Sequence, residues 1–276
     1  MFRKWAVCMT AVMASVFVTL PTAPVRADAV SDPLKTNSTG ENPSWGVKTV
    51  TLSSGRKYHV LLPICKGPCQ VQRQVIVYSH GASAAEDAPS ATLRLRKLHD
   101  YDPNTIFAFS ISKGDTKRFD VGVDYCCTWI DTNEVQYLVD VVNDIATRTP
   151  VLRDKVGLFG FSNGGMLSER AICLRPDEFA AAAAYAGTWT TQYEGCQHGT
   201  VNIEQWQGDK DTTVRLEGGC VKIQNHLVCV PPAWELGSKI TPESHFALHV
   251  MSGKDHTTPY VADQAMVAWL DQELAK

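Results

Sequence analysis

Short apolar runs alternate with amphipathic stretches along most of the chain. Val75-Ile76-Val77-Tyr78, Ile106–Ile111 and Val156–Phe161 are nearly unbroken apolar blocks rich in β-branched and aromatic side chains. Blocks of that length without polar alternation predict strands buried on both faces. Lys48–Leu52 and Tyr58–Leu62 flank Ser53-Ser54-Gly55 and predict a hairpin, while Ala181–Tyr185, Val201–Gln207 and Phe246–Met251 predict further strands. Helical spacing takes over between them. Val135, Leu138, Val139 and Val142 recur on one face of a helix expected to open at Asp131, with Glu134 as its capping partner, and to end near Arg148 before Pro150. Asn163–Leu174 predicts a helix stopping before Pro176. Ala262–Leu274 predicts a closing helix with Met266, Leu270 and Leu274 on one face. Alternating buried strands and helices imply an α/β domain: a mostly parallel central sheet with helices on both faces.

The first residues follow a different pattern. Arg3 and Lys4 precede an apolar run from Trp5 to Leu20, and Val25-Arg26-Ala27 places small residues where a signal peptidase needs them. The run is short for a bilayer span, which favours export over an anchor. Residues 1–27 are therefore expected to be a signal peptide, 28–47 a polar flexible lead-in, and 48–276 the catalytic domain. The Asn37-Ser38-Thr39 triplet would accept a glycan in a eukaryotic source. Residues 28–276 carry 23 basic and 29 acidic side chains, without a basic run or stripe. That balance argues against nucleic acid as a partner. After signal cleavage no membrane association is expected, and a secreted monomer, extracellular or periplasmic, is the reading.

Eight cysteines remain beyond residue 27: Cys65, Cys69, Cys126, Cys127, Cys173, Cys196, Cys220 and Cys229. An even number in an exported chain predicts disulfides, with about a hundred pairings open. Cys65 and Cys69 bracket a Lys-Gly-Pro turn, and Cys220 and Cys229 bracket a hairpin, so both can pair locally. Adjacent Cys126 and Cys127 are expected to bond to different partners. No CxxC pair is present, so no thiolate metal site is expected.

Candidate chemistry centres on Gly160-Phe161-Ser162-Asn163-Gly164, a G-x-S-x-G motif between a predicted buried strand and a predicted helix. That is the setting of a nucleophile elbow, whose tight turn needs small neighbours and presents the hydroxyl over a helix N-terminus. In the fold that uses this elbow, the acid and then the base follow the nucleophile in chain order. Asp211 follows the strand ending at Gln207, with Asp209 as its competitor. His256 follows the last strand. Ser162, Asp211 and His256 are thus the candidate catalytic set, with His256 as general base and Asp211 holding its tautomer. The oxyanion hole would take backbone N–H groups from Asn163 and from Ala82 in His80-Gly81-Ala82, with His80 tying down that loop. His245 and His249 lie four apart, a zinc spacing on a helix, but their segment reads as a strand. No metal and no cofactor are expected.

The stretches Val-Ile-Val-Tyr-Ser-His80-Gly81, Gly160-Phe-Ser162-Asn-Gly-Gly165-Met166, Gly208-x-x-Asp211 and Gly253-x-x-His256-Thr-x-Pro259 together resemble the polyhydroxybutyrate depolymerase and feruloyl/acetylxylan esterase group of secreted α/β-hydrolases. The resemblance runs over roughly residues 48–274. It implies the α/β-hydrolase fold and a serine esterase or depolymerase, with the family's Ser, Asp and His at Ser162, Asp211 and His256. The expected partner is an ester substrate, small or polymeric. Trp189, after Gly187, and Trp234, in the long segment after the acid, are candidate substrate-binding aromatics. A serine peptidase of the same fold, or a catalytically inactive binding protein, are the other readings.

Overall fold

The structure is a computed structural model, and it describes residues 43–114, 117–121, 133–188, 196, 199–223, 226–256 and 262–276. The expected signal peptide and all but the end of the expected lead-in lie outside the described residues.

Eight strands form one sheet in the order β1-β2-β4-β3-β5-β6-β7-β10. They are β1 (Ser44–Thr51), β2 (Lys57–Ile64), β3 (Arg73–Ser79), β4 (Ile106–Ser110), β5 (Val151–Phe161), β6 (Ala181–Tyr185), β7 (Asn202–Gly208) and β10 (His245–Met251). The pairs β1–β2 and β2–β4 are antiparallel, and every other pair in the sheet is parallel. Strands β8 (Gly219–Ile223) and β9 (His226–Val230) make a separate hairpin, with Cys220 opposite Cys229. Helices α1 (Ala88–Tyr101), α2 (Glu134–Arg148), α3 (Asn163–Leu174) and α4 (Asp263–Leu274) cover the sheet. Along β3, Val75 and Val77 enter the core shared with Leu138 and Val142 of α2 and Leu167 and Ile172 of α3, whereas Ile76 and Tyr78 enter the core shared with Leu95 and Leu98 of α1 and Met266, Leu270 and Leu274 of α4. Burial on both faces is why β3 reads as an unbroken apolar run.

Several expectations need correction. Strand β1 starts at Ser44, inside the expected lead-in, because Trp45 and Val47 pack partly against the core opposite Pro63 and Leu61. Helix α2 is capped by Asn133, whose side chain accepts from the Gln136 N–H. Asp131 lies outside the described residues, and the Glu134 carboxylate accepts from Arg56 at 2.7 Å. Helix α1 was not legible in the sequence. Asp87 caps it by accepting from the Ser90 N–H, with a proline in the first turn. A short 3₁₀ helix, Ala233–Ser238, was also missed. The local pairs Cys65–Cys69 and Cys220–Cys229 are bonded, and Cys173 bonds Cys196, a pairing with no local turn to signal it. Cys126 and Cys127 lie outside the described residues.

An ion pair ties the two helices on one face. The Arg94 guanidinium of α1 donates twice to the Asp263 carboxylate at the start of α4, and both side chains are buried. The guanidinium also lies 4.3 Å from the Tyr78 ring centre and 5.2 Å from that of Phe159. Losing one partner strands a buried charge, which costs about 3–5 kcal/mol, whereas replacing both with apolar groups is often neutral. Asp263→Asn is therefore expected to lower unfolding stability by about that amount in urea titration. The pair Arg94→Met with Asp263→Leu should recover most of the loss. A double variant no better than Asp263→Asn would show that the pair is not coupled as described.

Candidate active site

The candidate nucleophile sits where β5 turns into α3. Ser162 has φ 52° and ψ −120°, a conformation that L residues rarely adopt. Close packing maintains it. The Ser162 N–H donates to the Tyr185 carbonyl at 2.8 Å, and the Ser162 carbonyl accepts from Met166 N–H at 3.0 Å. A Cβ on Gly160 would lie 2.1 Å from the Gly164 oxygen, and one on Gly164 would lie 2.0 Å from the Ser79 oxygen. Any side chain at either position would push the turn apart, so both glycines of the motif are required sterically.

His256 lies between the other two candidates. Its Nε2 is 2.9 Å from Ser162 Oγ and its Nδ1 is 2.7 Å from Asp211 Oδ2. A carboxylate accepts, so Nδ1 carries the hydrogen and Nε2 presents its lone pair to the serine hydroxyl, which donates. Asp211 is buried and fully engaged. Its Oδ1 accepts from the N–H groups of Thr213 and Val214, each at 2.8 Å, and its Oδ2 accepts from Gln207 Nε2 at 3.1 Å. Gln207 is pinned in turn by donating to the Val214 carbonyl at 2.7 Å. The competitor Asp209 has another role: its Oδ1 accepts from Gly253 N–H at 2.7 Å. That bond and Lys210 N–H to the Lys254 carbonyl, 2.9 Å, join the chains leaving β7 and β10. These are parallel neighbours, with Gly208 opposite Met251, so the two loops emerge side by side and bring Asp211 to His256.

Of the two expected oxyanion donors, Asn163 follows Ser162 directly, and the loop that carries Ala82 lies beside the elbow. The Asn163 N–H opens α3, and the Asn163 side chain is locked by Phe119, accepting from its N–H at 2.7 Å and donating to its carbonyl at 3.1 Å. The loop carrying Ala82 runs against the elbow, because a Cβ on Gly81 would lie 2.7 Å from the Phe161 ring and 3.4 Å from Ser162 Cβ. Trp189 lies outside the described residues. Trp234 is 52% exposed on the 3₁₀ helix, which packs Gly237 against Phe246, near the start of β10 and away from the end that leads to His256. His245 and His249 are on a strand as expected, and each meets Glu204, at 3.3 and 2.7 Å.

Two buried polar side chains escaped the sequence reading. Gln207 carried a faint signal, a polar side chain within a strand that otherwise reads as buried. Glu169, two turns along α3 from Ser162, is buried with neither carboxyl oxygen hydrogen-bonded. Burial pushes its pKa well above the ordinary carboxylate range. A raised folded value means stability is intact at acid pH and is lost as pH climbs through that value, because the unfolded chain ionises first. Glu169→Gln is therefore expected to match the wild type in melting temperature under acid conditions and to exceed it increasingly as pH rises. Each kcal/mol relieved should appear as about 2–4 °C. A difference that does not change with pH would refute the buried ionisation.

Comparison with known proteins bears on the fold. Residues 129–217, which include Ser162 and Asp211, match the model of the prolyl oligopeptidase family of peptidases. No curated protein matches the sequence. Among solved structures, an S-formylglutathione hydrolase from Agrobacterium tumefaciens superposes with a TM-score of 0.58 at 14% identity, over 86% of this chain and 98% of that one. A protein from Bacteroides ovatus assigned as a dipeptidyl aminopeptidase IV superposes with a TM-score of 0.58 at 14% identity, over 84% of this chain. This chain spans 36% of that protein. The chain has the α/β-hydrolase fold, a serine-hydrolase-type architecture.

Proposed function

We propose that the protein is a secreted serine hydrolase of carboxylic esters, working through Ser162, His256 and Asp211. The observation that carries this reading is the unbroken hydrogen-bonded row from Ser162 Oγ through the His256 ring to Asp211 Oδ2, 2.9 and 2.7 Å. In the proposed reaction, His256 Nε2 takes the Ser162 proton as Oγ attacks the ester carbonyl. The oxyanion of the tetrahedral intermediate accepts hydrogen bonds from the N–H groups of Asn163 and Ala82. Collapse breaks the ester C–O bond, and His256 returns its proton to the departing alkoxide. Water, deprotonated by His256, then attacks the acyl-enzyme and releases the acid and free Ser162. Asp211 stays ionised throughout and stabilises the transient imidazolium.

The motif resemblance supports a polyester of the polyhydroxyalkanoate type, or an acetyl or feruloyl ester, as substrate. In this reading Trp189, in the loop after Gly187, supplies the aromatic contact, and Trp234 does not. Three disulfides among the described residues support export, since such bonds persist in oxidising compartments. A peptidase is the second reading, favoured by the match of residues 129–217 to the prolyl oligopeptidase family.

The test sets p-nitrophenyl esters from acetate to octanoate, methyl ferulate and a polyhydroxybutyrate suspension against peptide p-nitroanilides. Ester turnover well above anilide turnover supports the proposal, and the preferred acyl group assigns the substrate class. Cleavage of anilides without ester turnover would transfer the assignment to a peptidase.

A further inference from the structure

Glu86 lies in the loop between β3 and α1, outside the row Ser162–His256–Asp211, and three elements converge on it. Its backbone carbonyl accepts from His59 Nε2 of β2 at 3.0 Å. Its Oε1 accepts from Ser112 N–H, just after β4, at 2.6 Å. The same Oε1 lies 2.5 Å from His80 Nε2. The other ring nitrogen of His80, Nδ1, is 2.7 Å from the carbonyl oxygen of Gly81. The ring is buried between Phe109, stacked at 5.5 Å, and Phe119 at 4.7 Å.

The partners define the protonation of His80. A carbonyl oxygen only accepts, so Nδ1 carries a hydrogen. Burial alone would raise the Glu86 pKa, but the hydrogen bonds from His80 and Ser112 outweigh it and hold the carboxyl below its ordinary value. An ionised Glu86 also only accepts, so Nε2 carries a hydrogen as well. His80 is then an imidazolium whose second N–H is aimed at one backbone carbonyl.

That carbonyl belongs to the peptide unit that ends in the Ala82 N–H. In a planar trans peptide the C=O and the N–H point in opposite directions. A donor fixed on the Gly81 oxygen therefore fixes where the Ala82 N–H points. A charged donor also polarises the amide and strengthens that N–H as a donor.

We propose that Glu86 and a protonated His80 are positioning residues for the oxyanion hole, together orienting and polarising the Gly81–Ala82 peptide. The inference rests on the acyl-enzyme reading above and adds to it the electrostatic support of one oxyanion arm. Interactions made only with a developing oxyanion act on kcat and leave KM nearly unchanged. A loop anchor without an electrostatic role would leave both unchanged as long as the fold holds.

Glu86→Gln separates these cases, because the amide oxygen still accepts from Ser112 while the charge is gone. Expected for the variant are a nearly unchanged melting temperature, a kcat on p-nitrophenyl acetate lower by about tenfold or more, and a KM within about twofold of wild type. Nitrogen-15 NMR of the wild-type imidazoles should show a hydrogen on both nitrogens of His80, and this reading holds even if the variant does not fold. A folded variant with wild-type kcat, or a wild-type His80 with one bare nitrogen, overturns the inference while leaving the esterase reading intact. Should wild-type Ser162 neither turn over esters nor react with a fluorophosphonate, the acyl-enzyme reading fails and takes this inference with it.

Discussion

Ser162→Ala is expected to cut ester hydrolysis by a factor on the order of 10⁴ or more while leaving the folded structure intact. The expectation follows from how little else the hydroxyl does. Its described hydrogen bond is to His256 Nε2. The turn around it is held by backbone bonds to Tyr185 and Met166 and by glycines that admit no Cβ, all of which alanine preserves. Activity that remains would come from the oxyanion donors and binding alone. Ser162→Gly should be equally inactive but more stable than Ser162→Ala, since glycine adopts a φ of 52° without the cost that other residues incur. Initial rates on p-nitrophenyl acetate, fluorophosphonate labelling and thermal melts check the set. An alanine variant keeping more than about a hundredth of wild-type kcat would place the nucleophile elsewhere.

What the chain reveals about itself follows from the range of the interactions involved. Strands β3 and β5 were legible because both of their faces are buried, which leaves a purely local mark. The order Ser162, Asp211, His256 was legible because each residue follows a strand end, and parallel neighbours deliver their strand ends to one edge of the sheet. Helix α1 was hidden by Arg94. A charged residue sits on its buried face, tolerable only because Asp263, 169 positions away, meets it. No window of sequence contains that compensation. The cap of α2 is Asn133, and the Glu134 carboxylate next to it goes to Arg56 across the fold, a contact no local window contains. The preference for Asp211 over Asp209 likewise has its physical reason outside the local sequence. Two residues apart in one loop, they are separated by which backbone they meet, Thr213 and Val214 for one and Gly253 for the other. Glu86 escaped altogether and Gln207 left only a faint mark, because each acts through a residue that the motif had already supplied.

Asp211→Asn should be nearly as damaging as the loss of the serine, although it removes no atom from the row. The amide oxygen can still accept from the N–H groups of Thr213 and Val214, so the loop keeps its shape. An NH₂ group then takes the place of Oδ2 and faces His256 Nδ1. A donor there requires Nδ1 to be bare, which puts the imidazole hydrogen on Nε2, toward Ser162 Oγ. In that tautomer His256 has no lone pair with which to take the serine proton, and the imidazolium that should follow has lost its counter-charge. A drop in kcat on the order of 10⁴ is expected, with KM little changed. The variant also brings the new NH₂ against Gln207 Nε2, which now donates to Oδ2 at 3.1 Å. Flipping the asparagine to avoid both clashes would turn its NH₂ toward two backbone N–H groups instead. Either orientation leaves donors facing donors, so a modest loss of melting temperature should accompany the kinetic loss. Combining Asp211→Asn with Gln207→Met, which removes the opposing donor together with its bond to the Val214 carbonyl, should not recover the rate. A double variant that regained wild-type kcat would mean that Asp211 acts only by holding its loop, and that His256 is oriented by something else.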